Sequence, residues 1–194
     1  YWIDDIEAIS VTNLIRSFGI GVDIESLPPT ARQNFENARI RGTYAHIMAK
    51  YFFQNQLDEN TIDPQLKPYL EALKKIKEDY QVEPLAIEKK IGFKNLLVAG
   101  TPDIRGLFKT KHRFADWKFT YDCAKETHLQ LGGYRYIYNM EVEKPEDMIG
   151  RGLIFHINPK KYKDKGYKAI DEDFDAADEF KSLLIAHHVR RKYQ

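Results

Sequence analysis

The chain has 194 residues, 43% of them hydrophobic and 13% aromatic, which suits one domain with a substantial core. Basic and acidic residues nearly cancel, leaving a formal net charge of +1, so any nucleic-acid surface has to be a local patch rather than the whole molecule. The single cysteine, Cys123, excludes an internal disulfide framework, and no apolar run approaches the ~20 residues of a membrane span; with no signal peptide legible, a cytoplasmic protein is expected.

In chain order, Ser10 or Thr12 caps a first helix with Leu14 and Ile15 as buried positions, and Gly19 to Pro29 is read as a loop. A long helix is expected from Thr30 to about Gln56, with Ala45, Met48 or Ala49, and Phe52 at helical spacing. Gly42 and His46 are four residues apart and share a face of that helix. After the polar linker Asp58–Asp63, Asp63 caps a second helix that starts at Pro64, or slightly later given Pro68, and runs to Tyr80. Its stripe is Leu66, Tyr69, Leu70, Leu73 and Ile76; the lysines beside the stripe read as a solvated face. Glu83–Phe93 is expected to be one strand on which Glu88 and Lys90 point the same way.

The segment Gly100-Thr-Pro-Asp103-Ile-Arg-Gly106 through Phe114-Ala-Asp116-Trp-Lys118 reads as two strands around the basic turn Lys109–Arg113. Period-two alternation puts Asp116 and Lys118 on one face and turns Trp117 into the other. Folding the hairpin back brings Asp103 towards Asp116. Two carboxylates and an ammonium then share a patch, a grouping suited to a hard divalent cation with water and phosphate. The plain alternative is a surface hairpin with a cross-strand ion pair.

A helix is expected from Ala124 to Met140, with Gln130 and Tyr134 neighbours on one face and Gly132-Gly133 weakening it or admitting a close neighbour, expected to be the sheet. Leu153–Ile157 reads as a buried strand, and Lys160 to Lys168 with Tyr162 and Tyr167 as either a nucleic-acid grip or a solvated turn. A last helix, Phe174 to Arg191, has acids first and bases last, matching its dipole; its adjacent His187 and His188 do not face one another, which argues against a second metal site there.

Taken together, Gly42-x-x-x-His46, Glu88, Gly100-Thr-Pro-Asp103, Asp116-x-Lys118 and Gln130-x-x-x-Tyr134 resemble, in order, the motifs of the PD-(D/E)XK nucleases, in particular their RecB-like branch with the phage-type exonucleases. The matching motifs run from Gly42 to Tyr134, within a single domain spanning residues 1–194. The resemblance implies an α/β fold with a restriction-endonuclease-like core: a small mixed β-sheet flanked by helices. It also implies metal-dependent hydrolysis of DNA phosphodiesters, with Asp103 and Asp116 holding Mg²⁺ or Mn²⁺, His46 assisting, and Lys118 positioning water. Glu88 would be an additional acid, and Gly42, Gln130 and Tyr134 would support the site or the substrate.

The favoured activity is that of an exonuclease in phage-type recombination or DNA processing, with a single-strand annealing protein as the partner the resemblance implies. An endonuclease of restriction or repair type, and a non-catalytic DNA-binding domain, are the alternatives. Relatives that carry an iron–sulfur cluster hold it with four cysteines, so no such cluster is expected with Cys123 alone.

Overall fold

In the computed structural model, which describes residues 1–193, the chain forms three layers around a mixed five-stranded sheet. Before the sheet come a short ribbon of β1 (Trp2–Ile3) and β2 (Ile6–Glu7), then β3 (Ile9–Ser10) and helix α1 (Val11–Ser17). Ser10 caps α1, its hydroxyl accepting from the Asn13 N–H at 3.0 Å. Helices α2 (Pro29–Phe53) and α3 (Lys67–Asp79) follow. The first of these begins on a proline, whose missing N–H costs nothing at a helix start. The second starts at Lys67 rather than at Pro64: Pro68 takes the first-turn position in which proline is tolerated, and Pro64 lies in the preceding turn.

The central sheet runs in the order β10 (Tyr167–Asp171), β9 (Leu153–Ile157), β8 (Lys111–Lys118), β7 (Ile104–Phe108), β4 (Glu83–Ile87). Only the β8–β9 pair is parallel; the other three are antiparallel. All five side chains of β9 are buried, as expected of a strand covered on both faces. A second, three-stranded sheet joins β3, β6 (Val98–Gly100) and β5 (Ile91–Phe93). Helices α4 (Glu126–Glu141) and α5 (Ala176–Lys192) complete the fold. Among the described residues no helix is long and apolar enough to cross a membrane.

The two faces of the sheet carry separate cores. On one, Ala49, Phe53, Leu73 and Ile76 of α2 and α3 pack on Ile104, Trp117 and Phe155. The Phe53 and Trp117 rings stack 5.0 Å apart, and Trp117 meets Phe155 at 5.3 Å. On the other, Val11, Leu14, Leu131, Ile137, Phe180 and Leu184 of α1, α4 and α5 pack on Phe114 and Ile154. Alternation along β8 thus sends Ala115 and Trp117 to one core and Phe114 to the other. The opening helix is a core element: Val11 and Leu14 are fully buried.

Three expectations are corrected. Glu83–Phe93 is not one strand. It breaks after Ile87, Glu88 takes a left-handed backbone with φ of 46°, and the chain enters the second sheet at Ile91, so Glu88 and Lys90 are not strand neighbours. Similarly, Gly100 belongs to the second sheet and not to the hairpin of β7 and β8, because Thr101, Pro102 and Asp103 interrupt the ladder. Gly132 and Gly133 admit helices rather than the sheet: a Cβ at Gly132 would overlap the Ala176 carbonyl, and one at Gly133 would meet Phe180 and Val11.

The two glycines of functional interest therefore behave oppositely. A Cβ at Gly42 meets nothing within 4 Å. Gly42→Ala should raise the stability of the protein by about 0.5–1 kcal/mol, because α2 loses its helix-weakening residue at no steric cost. Gly132→Ala should lower it by about 1–3 kcal/mol or more, because the obstacle is backbone and cannot step aside. Urea unfolding of both variants measures the contrast; equal and small effects would contradict the packing of α4 against α5.

Candidate active site

The site starts from the register of the hairpin. Ile104 pairs with Ala115, so the next step along each strand brings Asp103 level with Asp116. Asp103 sits just before β7, where Pro102 has ended the previous ladder, and its Oδ2 accepts a hydrogen bond from the Trp117 N–H at 2.8 Å. That bond ties the carboxylate to the backbone between Asp116 and Lys118. Asp116 itself is 1% exposed.

Lys118 Nζ lies 2.6 Å from Asp116 Oδ2, off the angle of a hydrogen bond, so that this buried oxygen has no hydrogen-bond partner among the described residues. The same ammonium donates to Gln130 Oε1 at 3.2 Å, and Gln130 Nε2 donates to the Tyr134 hydroxyl at 2.9 Å. A chain of contacts thus runs from the sheet into α4, and Tyr134 is fixed because its ring packs on the Cα of Gly100, where a Cβ would collide with it.

From the other layer comes His46, whose Nδ1 is 3.4 Å from Asp103 Oδ2 and whose ring meets Phe119 edge-on. One turn later, Lys50 Nζ pairs with Glu88 Oε2 at 2.6 Å. Glu88 is brought in by its left-handed backbone, which lets its N–H donate to the Asp103 carbonyl at 3.0 Å. A non-glycine residue in that region carries strain, and such strain concentrates at functional sites. His46, Lys50, Glu88 and Asp103 line one cleft with Phe53 and Trp117. As the side chains are placed, that cleft leaves no room for a water-sized guest. Gly42, a turn before His46, faces open space and touches none of these groups.

Electrostatically the two carboxylates differ. Burial raises the Asp116 pKa; Lys118 pulls against this, Asp103 adds to it, and the net result lies above the ordinary carboxylate value. Burial also works against charge on Asp103, but His46, then Lys118 and the Trp117 N–H, outweigh it and hold that carboxyl below the ordinary value. Burial opposes charge on His46 and Lys118 as well, yet Asp103 raises the imidazole, and Asp116 with Asp103 raises the ammonium. The neighbouring Tyr134 phenol is pushed up by burial.

Among the described residues no three His, Cys, Asp or Glu side chains converge as a group able to hold a metal. The donor chemistry nonetheless fits a hard cation, since Mg²⁺ commonly takes only one or two carboxylates and fills its remaining positions with water and phosphate oxygens. Asp103 and Asp116, the latter in contact with Lys118, supply those two carboxylates. His46 contacts Asp103, and its nitrogen suits Mn²⁺ better than Mg²⁺.

The sequence reading missed Lys50, although its spacing of four from His46 was a signal for a shared face. Two groups considered at the sequence level lie elsewhere. Lys161 and Lys165 are committed to Asp122 and Asp79. His188 meets the Leu96 carbonyl at 2.8 Å.

No family model matches the sequence, and none of the curated proteins matches it. Among solved structures the chain is similar to an alkaline exonuclease, LHK-Exo, from Laribacter hongkongensis, with a TM-score of 0.40 and 13% identity over 96% of this chain and 93% of that one. LHK-Exo in complex with dAMP gives a TM-score of 0.42 and 12% identity over 96% and 88%. SSO0001 gives a TM-score of 0.42 and 14% identity over 99% and 79%.

The close contact of Lys118 with Asp116 has a measurable consequence for stability. Lys118→Met should cost about 3 kcal/mol, because it leaves a buried carboxylate without its counter-charge. In an Asp116→Asn background the same substitution should cost far less. A double-mutant cycle by chemical denaturation gives the coupling; a Lys118→Met penalty unchanged by Asp116→Asn would show that the pair is not coupled.

Proposed function

We propose that this chain is a metal-dependent deoxyribonuclease that hydrolyses phosphodiester bonds, acting as an exonuclease in recombination or DNA processing. The observation that carries the reading is the juxtaposition of Asp103 and the buried Asp116 beside Lys118. A purely structural ion pair gives no reason to keep a second carboxylate next to it in a desolvated sheet.

Asp103 and Asp116 would hold Mg²⁺ or Mn²⁺, with His46 beside Asp103. A divalent cation there supplies polarisation of the phosphodiester and a bound water of lowered pKa. Lys118 stays charged, because the acids raise its pKa, and it can orient the attacking water or offset charge developing on phosphate oxygens. Gln130 fixes the Lys118 ammonium from α4, and Tyr134 fixes Gln130. Glu88 acts as an additional acid at the edge of the site, restrained by Lys50.

Open space over Gly42 supports approach of a DNA backbone along α2 beside His46. The exonuclease and annealing-partner parts of this reading rest on the ordered motif resemblance from Gly42 to Tyr134.

Purified protein should degrade linear duplex DNA in Mg²⁺ or Mn²⁺ and leave covalently closed circles intact. Asp116→Asn should reduce cleavage to background while DNA binding, measured by fluorescence anisotropy, changes little. Cleavage of closed circles would replace the exonuclease by an endonuclease, and linear DNA left untouched by wild type with either metal would remove the nuclease reading altogether. Gly42→Ala should weaken DNA binding although it stabilises the fold; unaltered binding would remove α2 from the DNA path.

A further inference from the structure

On the opposite side of the Glu88 and Asp103 segments from the catalytic cleft lies a cavity of about 160 Å³. It is bounded by β4, β5 and α4, with apolar walls that include Ile91, Pro102 and Phe114. Lys89 and Arg105 also line it, together with Tyr138. Two of these residues, Lys89 and Pro102, directly follow and precede Glu88 and Asp103 in the chain, so the cavity and the cleft share two peptide links.

Arg105 is the unusual group. Its Nη1 donates to the Tyr138 hydroxyl at 2.6 Å and lies 3.3 Å from His112 Nε2, and its guanidinium stands 5.0 Å from the centre of the Tyr138 ring. Burial, and then Arg105 itself, drive His112 towards its neutral form. Neither hydrogen-bond partner is an acid, and among the described residues no ion pair holds either Arg105 or Lys89. A half-buried guanidinium held by a phenol and an imidazole, with no carboxylate paired to it, is free to take an anion, and its planar fork suits phosphate.

The volume sets the rest of the ligand. A dry cavity near 150 Å³ accepts a benzene ring, so the space beside Phe114 and Pro102 matches one six-membered ring and is tight for a fused pair. We propose that this cavity is a second ligand site that takes one pyrimidine nucleotide unit, the ring against Phe114 and Pro102 and the phosphate on Arg105 and Lys89. The cavity itself argues for a ring bearing an anion; that the ring is a nucleobase rests on the nuclease reading of the adjacent cleft.

Calorimetric titration in EDTA, where no divalent cation is available to the cleft, tests the site with dTMP, dGMP, thymidine and inorganic phosphate. The expectation is that dTMP binds more tightly than any of the other three. Arg105→Met, with folding checked by thermal unfolding, should weaken dTMP binding by about tenfold or more. Lys89→Met, on the exposed rim, should weaken it by a smaller factor and serves if Arg105→Met does not fold.

Equal affinities for dTMP and inorganic phosphate, or unchanged dTMP binding in both cavity variants, would overturn the proposal. Cleavage of linear DNA by a protein that binds no dTMP would overturn the cavity and leave the nuclease reading. Specific dTMP binding without cleavage in either metal would overturn the nuclease reading and support the cavity.

Discussion

Two carboxylates held side by side in a desolvated sheet repel one another and lose hydration, and much of this molecule is arranged to offset that cost. Asp103 is compensated by the Trp117 N–H and by His46, Asp116 by Lys118. Each compensating group comes from a different place: the adjacent strand itself, the helix above the sheet, and a lysine braced by the helix below. Removing any layer would leave a buried charge without its partner. The three-layer architecture is thus the means by which residues from α2, the β7–β8 hairpin and α4 reach one point.

The division of labour between the cores follows from the same geometry. Alternation along β8 commits Ala115 and Trp117 to the core under α2 and α3 and Phe114 to the core under α4 and α5. Asp116 shares the Phe114 face, towards α4, whereas Asp103 lies at the strand end where both layers are accessible. That position explains how His46 contacts Asp103 from one side while Gln130 steadies Lys118 from the other. The backbone is irregular at the same place. Pro102 ends one ladder, and Glu88 adopts a left-handed backbone to pair with the Asp103 carbonyl.

Much of this was legible in the residues. The hairpin could be read from alternating bulk on either side of Lys109–Arg113, and the convergence of Asp103 with Asp116 follows from folding it. Helices α2 and α3 were legible from periodicity, α5 from the acids at its start and the bases at its end, and α1 from its Ser10 or Thr12 cap. What escaped were features set by tertiary context. The break at Glu88 looks like continuous strand in sequence, because its flanks, Leu85-Ala-Ile and Ile91, are apolar on both sides. The tiny strand β3 is recognisable only through its parallel pairing with β6. Similarly, nothing local distinguishes Lys50 from other helix lysines until Glu88 is folded against it, and Gly132 reads as a helix defect until α5 is laid across it.

Asp103 and Asp116 are proposed to form one cation-binding pair. Anomalous diffraction from a crystal soaked in Mn²⁺ tests it most directly. A single strong peak is expected between the two carboxylates, on the side of Asp116 Oδ2, lost in an Asp116→Asn crystal. A soaked crystal with no manganese within coordination distance of either carboxylate, or with the ion elsewhere on the molecule, would contradict it.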